Sequence, residues 1–173
     1  VAAQFCYVGA QVGVASFFIR FSGQVAGIGE QDAAYLLSIG LLLFMAGRFI
    51  GTALMRWVAA PTLLAICAAC ALVLVGIAVL ATGLTAVIAL LGVELLMSIM
   101  FPTIFSLSIE GLGRDMKLGS SLLVMSIVGG AIIPPLMGAI SDRHGIQHAY
   151  LVPLLCFVAV LLFARAVRST VSR

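Results

Sequence analysis

Apolar residues run along this chain in six long blocks separated by short polar breaks. The blocks are Val1–Phe21, Tyr35–Met55, Thr62–Thr82, Leu84–Ser108, Leu118–Ile140 and Ala149–Val167. About 20 apolar residues in a helix cross the roughly 30 Å hydrocarbon core of a bilayer. A membrane strand alternates apolar and polar positions. These blocks are apolar all round, so the pattern predicts helices. Little more than Gly83 separates the third block from the fourth, which predicts a tight hairpin. The longest break, Ser22–Ala34, predicts the longest loop. Composition agrees: 64% of the 173 residues are hydrophobic and 9% charged, and the mean hydropathy is +1.29. A soluble domain is typically about 25% charged. The expectation is an all-α polytopic membrane protein with six spans.

Lys and Arg in the connections set the orientation. One side receives Arg56, Arg114, Lys117, Arg165, Arg168 and Arg173, and the other receives Arg20 and Arg143. The richer side, with the C-terminus, is predicted to be cytoplasmic. The net charge of +3 then reports topology, and no nucleic-acid partner is expected. Val1 already lies within a span, with no initiating Met and no charged leader before it. The chain therefore reads as a fragment whose upstream part is absent.

Polar groups inside the spans are the candidate chemistry. Gln4, Tyr7 and Gln11 in Q-F-C-Y-V-G-A-Q fall on one helical face. Carboxamides offer donors and an acceptor without charge. That mix suits sugar hydroxyls, or hydrogen bonding between helices. Glu94 lies ten residues into its span, near the midplane. An isolated carboxylate at that depth is expensive, so it must be protonated, paired or facing water. It reads as a proton-coupling group or as a structural acid. Arg48 is about 20 Å from the outer end of its span at 1.5 Å per residue. It can snorkel to the inner surface or join a polar network. Pro102, the Gly129-Gly130 pair and the Pro134-Pro135 pair predict kinks, either as a moving gate or as fixed shape.

Other features point away from chemistry. Cys67-x-x-Cys70 lies in an Ala-rich span with no His or carboxylate near it in sequence, so no metal or cofactor is expected. Ser120-Ser121 and the histidines His144 and His148 lie at opposite ends of the fifth span. At that separation they cannot form a nucleophile–base pair, so no enzyme is expected. Gly47-x-x-x-Gly51 predicts close helix packing. A self-assembling six-helix channel remains an alternative from these features alone.

Q-F-C-Y-V-G-A-Q (4–11), S-F-F-I-R-F (16–21), G-R-F-I-G-T (47–52), P-T-I-F-S-L (102–107) and G-S-S-L-L-V-M-S-I-V-G-G (119–130) occur in one order along nearly the whole chain. Together they resemble the fucose–galactose–glucose:proton symporter family of the major facilitator superfamily. The resemblance implies the C-terminal six-helix half of a twelve-helix carrier in the bacterial inner membrane. It implies a missing N-terminal six-helix half as partner and alternating access to a central cavity. L-fucose or a related hexose would be the substrate and a proton the coupled ion. It places Gln4, Tyr7, Gln11, Ser16 and Phe101 against the sugar, and it leaves the coupling acids in the other half. Fucose-transporting members lead us to expect a Trp in place of Ala15 and Q-Y-P in place of Met100-Phe101-Pro102. The M-F-P form is more like the glucose/galactose branch. The segment Gly138-x-x-Ser141-Asp142-Arg143-x-Gly145 is similar to the superfamily's cytoplasmic G-x-x-x-D-R-x-G loop. The charge count puts it outside, where it reads as a turn.

Overall fold

In lipid every backbone amide must find its partner within its own segment, so long apolar runs become helices. The computed structural model describes residues 1–171, with side chains described through Ser169; Arg173, counted above for orientation, lies outside them. Nine helices follow in chain order among these residues. They are α1 (Ala2–Ala26), α2 (Glu30–Leu54), α3 (Ala60–Leu80), α4 (Leu84–Met97), α5 (Met100–Ile109), α6 (Met116–Met125), α7 (Gly129–His144), α8 (Ile146–Ala149) and α9 (Leu151–Val171). They make six stretches long and apolar enough to cross a membrane: α1, α2, α3, α4–α5, the stretch from Gly113 through α7, and α8–α9.

Two boundaries differ from the sequence pattern. The expected loop Ser22–Ala34 is mostly helix, and only Gly27–Gly29 joins α1 to α2. Ser22 does not end α1, because its hydroxyl donates back to the Phe18 carbonyl at 2.8 Å. The stop comes at Gly27, whose φ of 65° is left-handed. Its amide bonds Gly23 and that of Ile28 bonds Ser22, which satisfies the last carbonyls of the helix. At the opposite end, a 3₁₀ turn at Gly113–Asp115 and α6 occupy much of the expected loop Ile109–Lys117.

α1 is the hub, packed against α4, α7 and α9. Glycines set the closest approaches. Gly9 and Gly13 lie against Ile133 and Met137 of α7, and Gly129 lies against the Phe5 carbonyl of α1. Gly40, Gly47 and Gly51 seat α2 on Leu91, Ser98 and Ile99. These three glycines and Ala33 are the buried residues of α2. The rest of α2 shows large apolar side chains outward, including Leu42, Met45 and Phe49.

The end of the bundle that holds the α1–α2 and α3–α4 turns is tied together by polar contacts. Gln147 donates to the Ala81 carbonyl at 2.7 Å, and the Gly83 amide bonds Val25 at 3.0 Å. Arg20 of α1 meets Asp142 of α7 at 3.1 Å. Arg20 and Arg143 thus sit at one end of the bundle, where the charge count put them together. The pair is exposed, so it contributes little stability, about 0–1 kcal/mol.

Candidate functional site

The expected kink at Pro102 shows as a two-residue interruption one turn earlier, at Ser98 and Ile99. α4 stops at Met97 and α5 starts at Met100. Proline has no amide hydrogen, so the carbonyl four residues before it, that of Ser98, loses its helical donor. Arg48 supplies another, its Nε lying 3.3 Å from the Ser98 oxygen. The Arg48 guanidinium also stands over the Phe44 ring at 5.4 Å, a cation–π contact. Among the described residues Arg48 makes no ion pair, and its guanidinium is engaged by Ser98 and Phe44. It holds the break.

Tyr7 completes the joint. Its ring is fully buried, and its hydroxyl donates to the Met97 carbonyl at 2.7 Å. The Phe101 amide faces the Tyr7 hydroxyl oxygen in turn. A phenol from α1 is thus inserted where the Phe101 amide would have bonded Met97, and an inserted side chain bends a helix. The Ser98 hydroxyl turns back to Leu95 at 2.7 Å, and that of Thr103 to Ile99 at the same distance.

The face Gln4–Tyr7–Gln11 is not a uniformly wet stripe. Gln4 and Tyr7 are buried, while Gln11 is half-exposed. Among the described residues the Gln4 carboxamide has no partner for either Oε1 or Nε2. An unsatisfied buried polar group costs about 1–3 kcal/mol. Phe101 is half-buried, with its ring 6.2 Å from that of Tyr7 and stacked near Phe105 at 6.4 Å. Ser16 is exposed, but it lies about 140° round the helix from Gln11 at 100° per residue. It opens on a groove of about 500 Å³ shared with Arg20, Gln24 and Glu30. Ser16 therefore does not join the carboxamides on one wall.

Glu94 is 1% exposed, and its Oε1 has no hydrogen-bond partner among the described residues. Its side chain faces Gly40 of α2, where a Cβ would lie 3.4 Å from Cγ. Gly129 and Gly130 open α7 just after a 3₁₀ turn at Ser126–Val128. Pro134 and Pro135 lie inside a helix that continues to His144. The interruption of the fifth span precedes the glycines and does not fall at the prolines. Cys67 is buried and Cys70 exposed, both free thiols.

Sequence reading missed Ser98, whose carbonyl Arg48 serves. The available signal was its spacing, four residues before Pro102. It also missed Gly9-x-x-x-Gly13, a pattern of the same kind as Gly47-x-x-x-Gly51.

If Tyr7 is part of the joint, Tyr7→Phe removes one interhelical hydrogen bond. The expected loss is about 1 kcal/mol of unfolding free energy, read by denaturant titration of the full-length protein in detergent. Unchanged stability would return the phenol to the list of free ligand groups.

No family model matches the chain. It is 44% identical to the glucose/galactose transporter of Brucella abortus biovar 1 (strain 9-941) over 161 residues, which is 92% of this chain and 39% of that protein. It is 45% identical to the L-fucose-proton symporter of Escherichia coli K12 over 167 residues, 95% of this chain and 38% of that one. The putative glucose/galactose transporter of Helicobacter pylori J99 is 39% identical over 165 residues, 92% of this chain and 40% of that protein. The chain spans about two-fifths of the length of these relatives. The crystal structure of the major facilitator superfamily transporter FucP in the outward conformation superposes with a TM-score of 0.93 at 44% identity. That match covers 96% of this chain and 41% of FucP. By sequence and by fold the chain belongs to the major facilitator superfamily, beside its L-fucose-proton symporters and glucose/galactose transporters, as one six-helix half of that fold.

Proposed function

We propose that the chain is the C-terminal half of a proton-coupled sugar symporter of the inner membrane, with its C-terminus cytoplasmic. It carries L-fucose or a related hexose by alternating access, rocking against an N-terminal six-helix half. The observation that carries this reading is the unbroken likeness to named sugar carriers over more than nine-tenths of the chain. Two features of the site support it. The Gln4 carboxamide is sealed with both ends unpaired, and a polar guest or water admitted by opening would satisfy it. Gln11 and Phe101 lie half-open on the same side of the bundle as Tyr7, offering a hydrogen-bonding group and an apolar wall.

Glucose or galactose is the second reading, favoured by Met100-Phe101-Pro102. Overall identity does not separate the two, at 44% and 45%. The test is sugar-induced alkalinisation of lightly buffered, de-energised cells making the full-length protein. A pH rise with L-fucose alone is the expected result. A rise with galactose or glucose alone moves the assignment to the second branch. No rise with any sugar, with the protein shown to be in the membrane, overturns sugar–proton coupling.

A further inference from the structure

We propose that Glu94 is a proton-binding site built into this half, and that Arg48 takes up its charge when the proton leaves. The likeness to the relatives does not lead to this site, since it leaves the coupling acids in the other half. The site rests on a buried carboxyl with an unpaired oxygen, standing one turn from a cation held on a replaceable partner.

The surroundings are specific. α4 packs against α1, α2, α3 and α5. From α1 comes Tyr7, whose hydroxyl bonds Met97, three residues and hence one turn from Glu94. From α2 comes Gly40 directly opposite, and Arg48 farther along. From α3, Cys67 lines a cavity of about 160 Å³ at Ser98, together with Gly47, Gly51 and Ile99. α5 has no ionisable side chain. The other buried phenol, Tyr150, is bonded to the Val14 carbonyl at 3.3 Å. Tyr7 and Arg48 thus bond carbonyls three and four residues along from Glu94, at the α4–α5 break.

The conformation described here belongs to the neutral acid. A lone carboxylate sealed from water in a membrane is expensive, and no cation lies in ion-pair contact with Glu94 among the described residues. Loss of the proton to water leaves a carboxylate that needs a partner. Arg48 is the candidate, because it bonds Ser98, four residues and about 6 Å of helical rise from Glu94 at 1.5 Å per residue. Turning to Glu94 takes Arg48 off the Ser98 carbonyl and frees the joint, and the cavity beside it gives Ile99 room to move. One proton is bound or released, the Arg48–Ser98 hydrogen bond is exchanged for one to Glu94, and no other covalent bond changes. Proton release is thereby linked to bending of the interrupted span.

The protonation itself does not depend on the carrier reading, and only its use in transport does. The experiment is pH-difference infrared spectroscopy of the purified full-length protein in lipid, with sugar binding measured on the same samples. The wild type is expected to show a protonated-carboxyl band that falls as pH rises. Glu94→Gln keeps the shape of the acid and should lose that band, while Asp142→Asn keeps it. A band unchanged in Glu94→Gln overturns the site. Arg48 is tested in Arg48→Gln combined with Pro102→Ala, where the new amide gives the Ser98 carbonyl a partner. The band should then no longer change with pH, and titration as in Pro102→Ala alone overturns the role of Arg48. Loss of the band in Glu94→Gln without sugar binding in any variant sinks the carrier reading and leaves the proton site standing.

Discussion

Gly129→Ala is expected to lower the unfolding free energy of the full-length protein by about 1–3 kcal/mol or more, the range for overpacking a filled site. The reason lies in what the added methyl meets. At Gly129 a Cβ runs into the Phe5 carbonyl oxygen, with the Phe5 carbonyl carbon 3.0 Å away. Both are backbone atoms of α1, so no rotamer change relieves the overlap, and α1 or α7 must move. The same seam holds Gly9 against Ile133 and Gly13 against Met137, so a shift spreads along three contacts. Helices in lipid associate by packing and have little hydrophobic driving force. Loss of close approach is therefore not offset by burial elsewhere. Gly130→Ala is the comparison, since its Cβ meets the Val12 side chain at 3.0 Å and side chains can give. Thermal unfolding of both variants in one detergent separates the cases. Equal melting temperatures for Gly129→Ala and wild type would mean that the α1–α7 seam yields freely.

The six spans were legible because lipid imposes one solution on long apolar runs. Their ends were less legible, because a polar residue need not end a helix. Ser22 looked like the start of a loop and instead bonds back to Phe18. Glu30 and Asp32 looked like loop acids and instead occupy the first turn of α2, where carboxylates suit the positive end of the helix dipole. The face Gln4–Tyr7–Gln11 was visible from periodicity. Which of its members is accessible was not, since that depends on α4 and α5 arriving beside Tyr7 from some 90 residues away. Ser16 shows the same limit from the other direction. The resemblance set it against the sugar with the carboxamides, and the helical turn puts it about 140° round α1 from Gln11 at 100° per residue. Pro102 announced a disturbance, but the interruption sits at the carbonyl that the proline leaves without a donor.

Arg48→Gln should be costly alone and nearly silent beside Pro102→Ala. Arg48 bonds the carbonyl that Pro102 leaves without a donor. Removing Arg48 leaves a largely buried acceptor unpaired, which costs about 1–3 kcal/mol. An alanine at position 102 restores an amide four residues after Ser98, in helical register. The helix already resumes there, since the Thr103 amide bonds Ile99 at 3.2 Å. In the double variant the carbonyl is satisfied without the guanidinium. The double-mutant cycle should therefore show a coupling of about 1–3 kcal/mol, within the range found for residues sharing a network. Transport divides the roles further. If the break is a moving joint, Pro102→Ala straightens it and slows sugar flux while equilibrium sugar binding persists. If it only shapes the bundle, flux and stability recover together in the double variant. Additive effects of the two substitutions would mean that Arg48 and Pro102 act on separate parts of the span, and that the contact at Ser98 does not couple them.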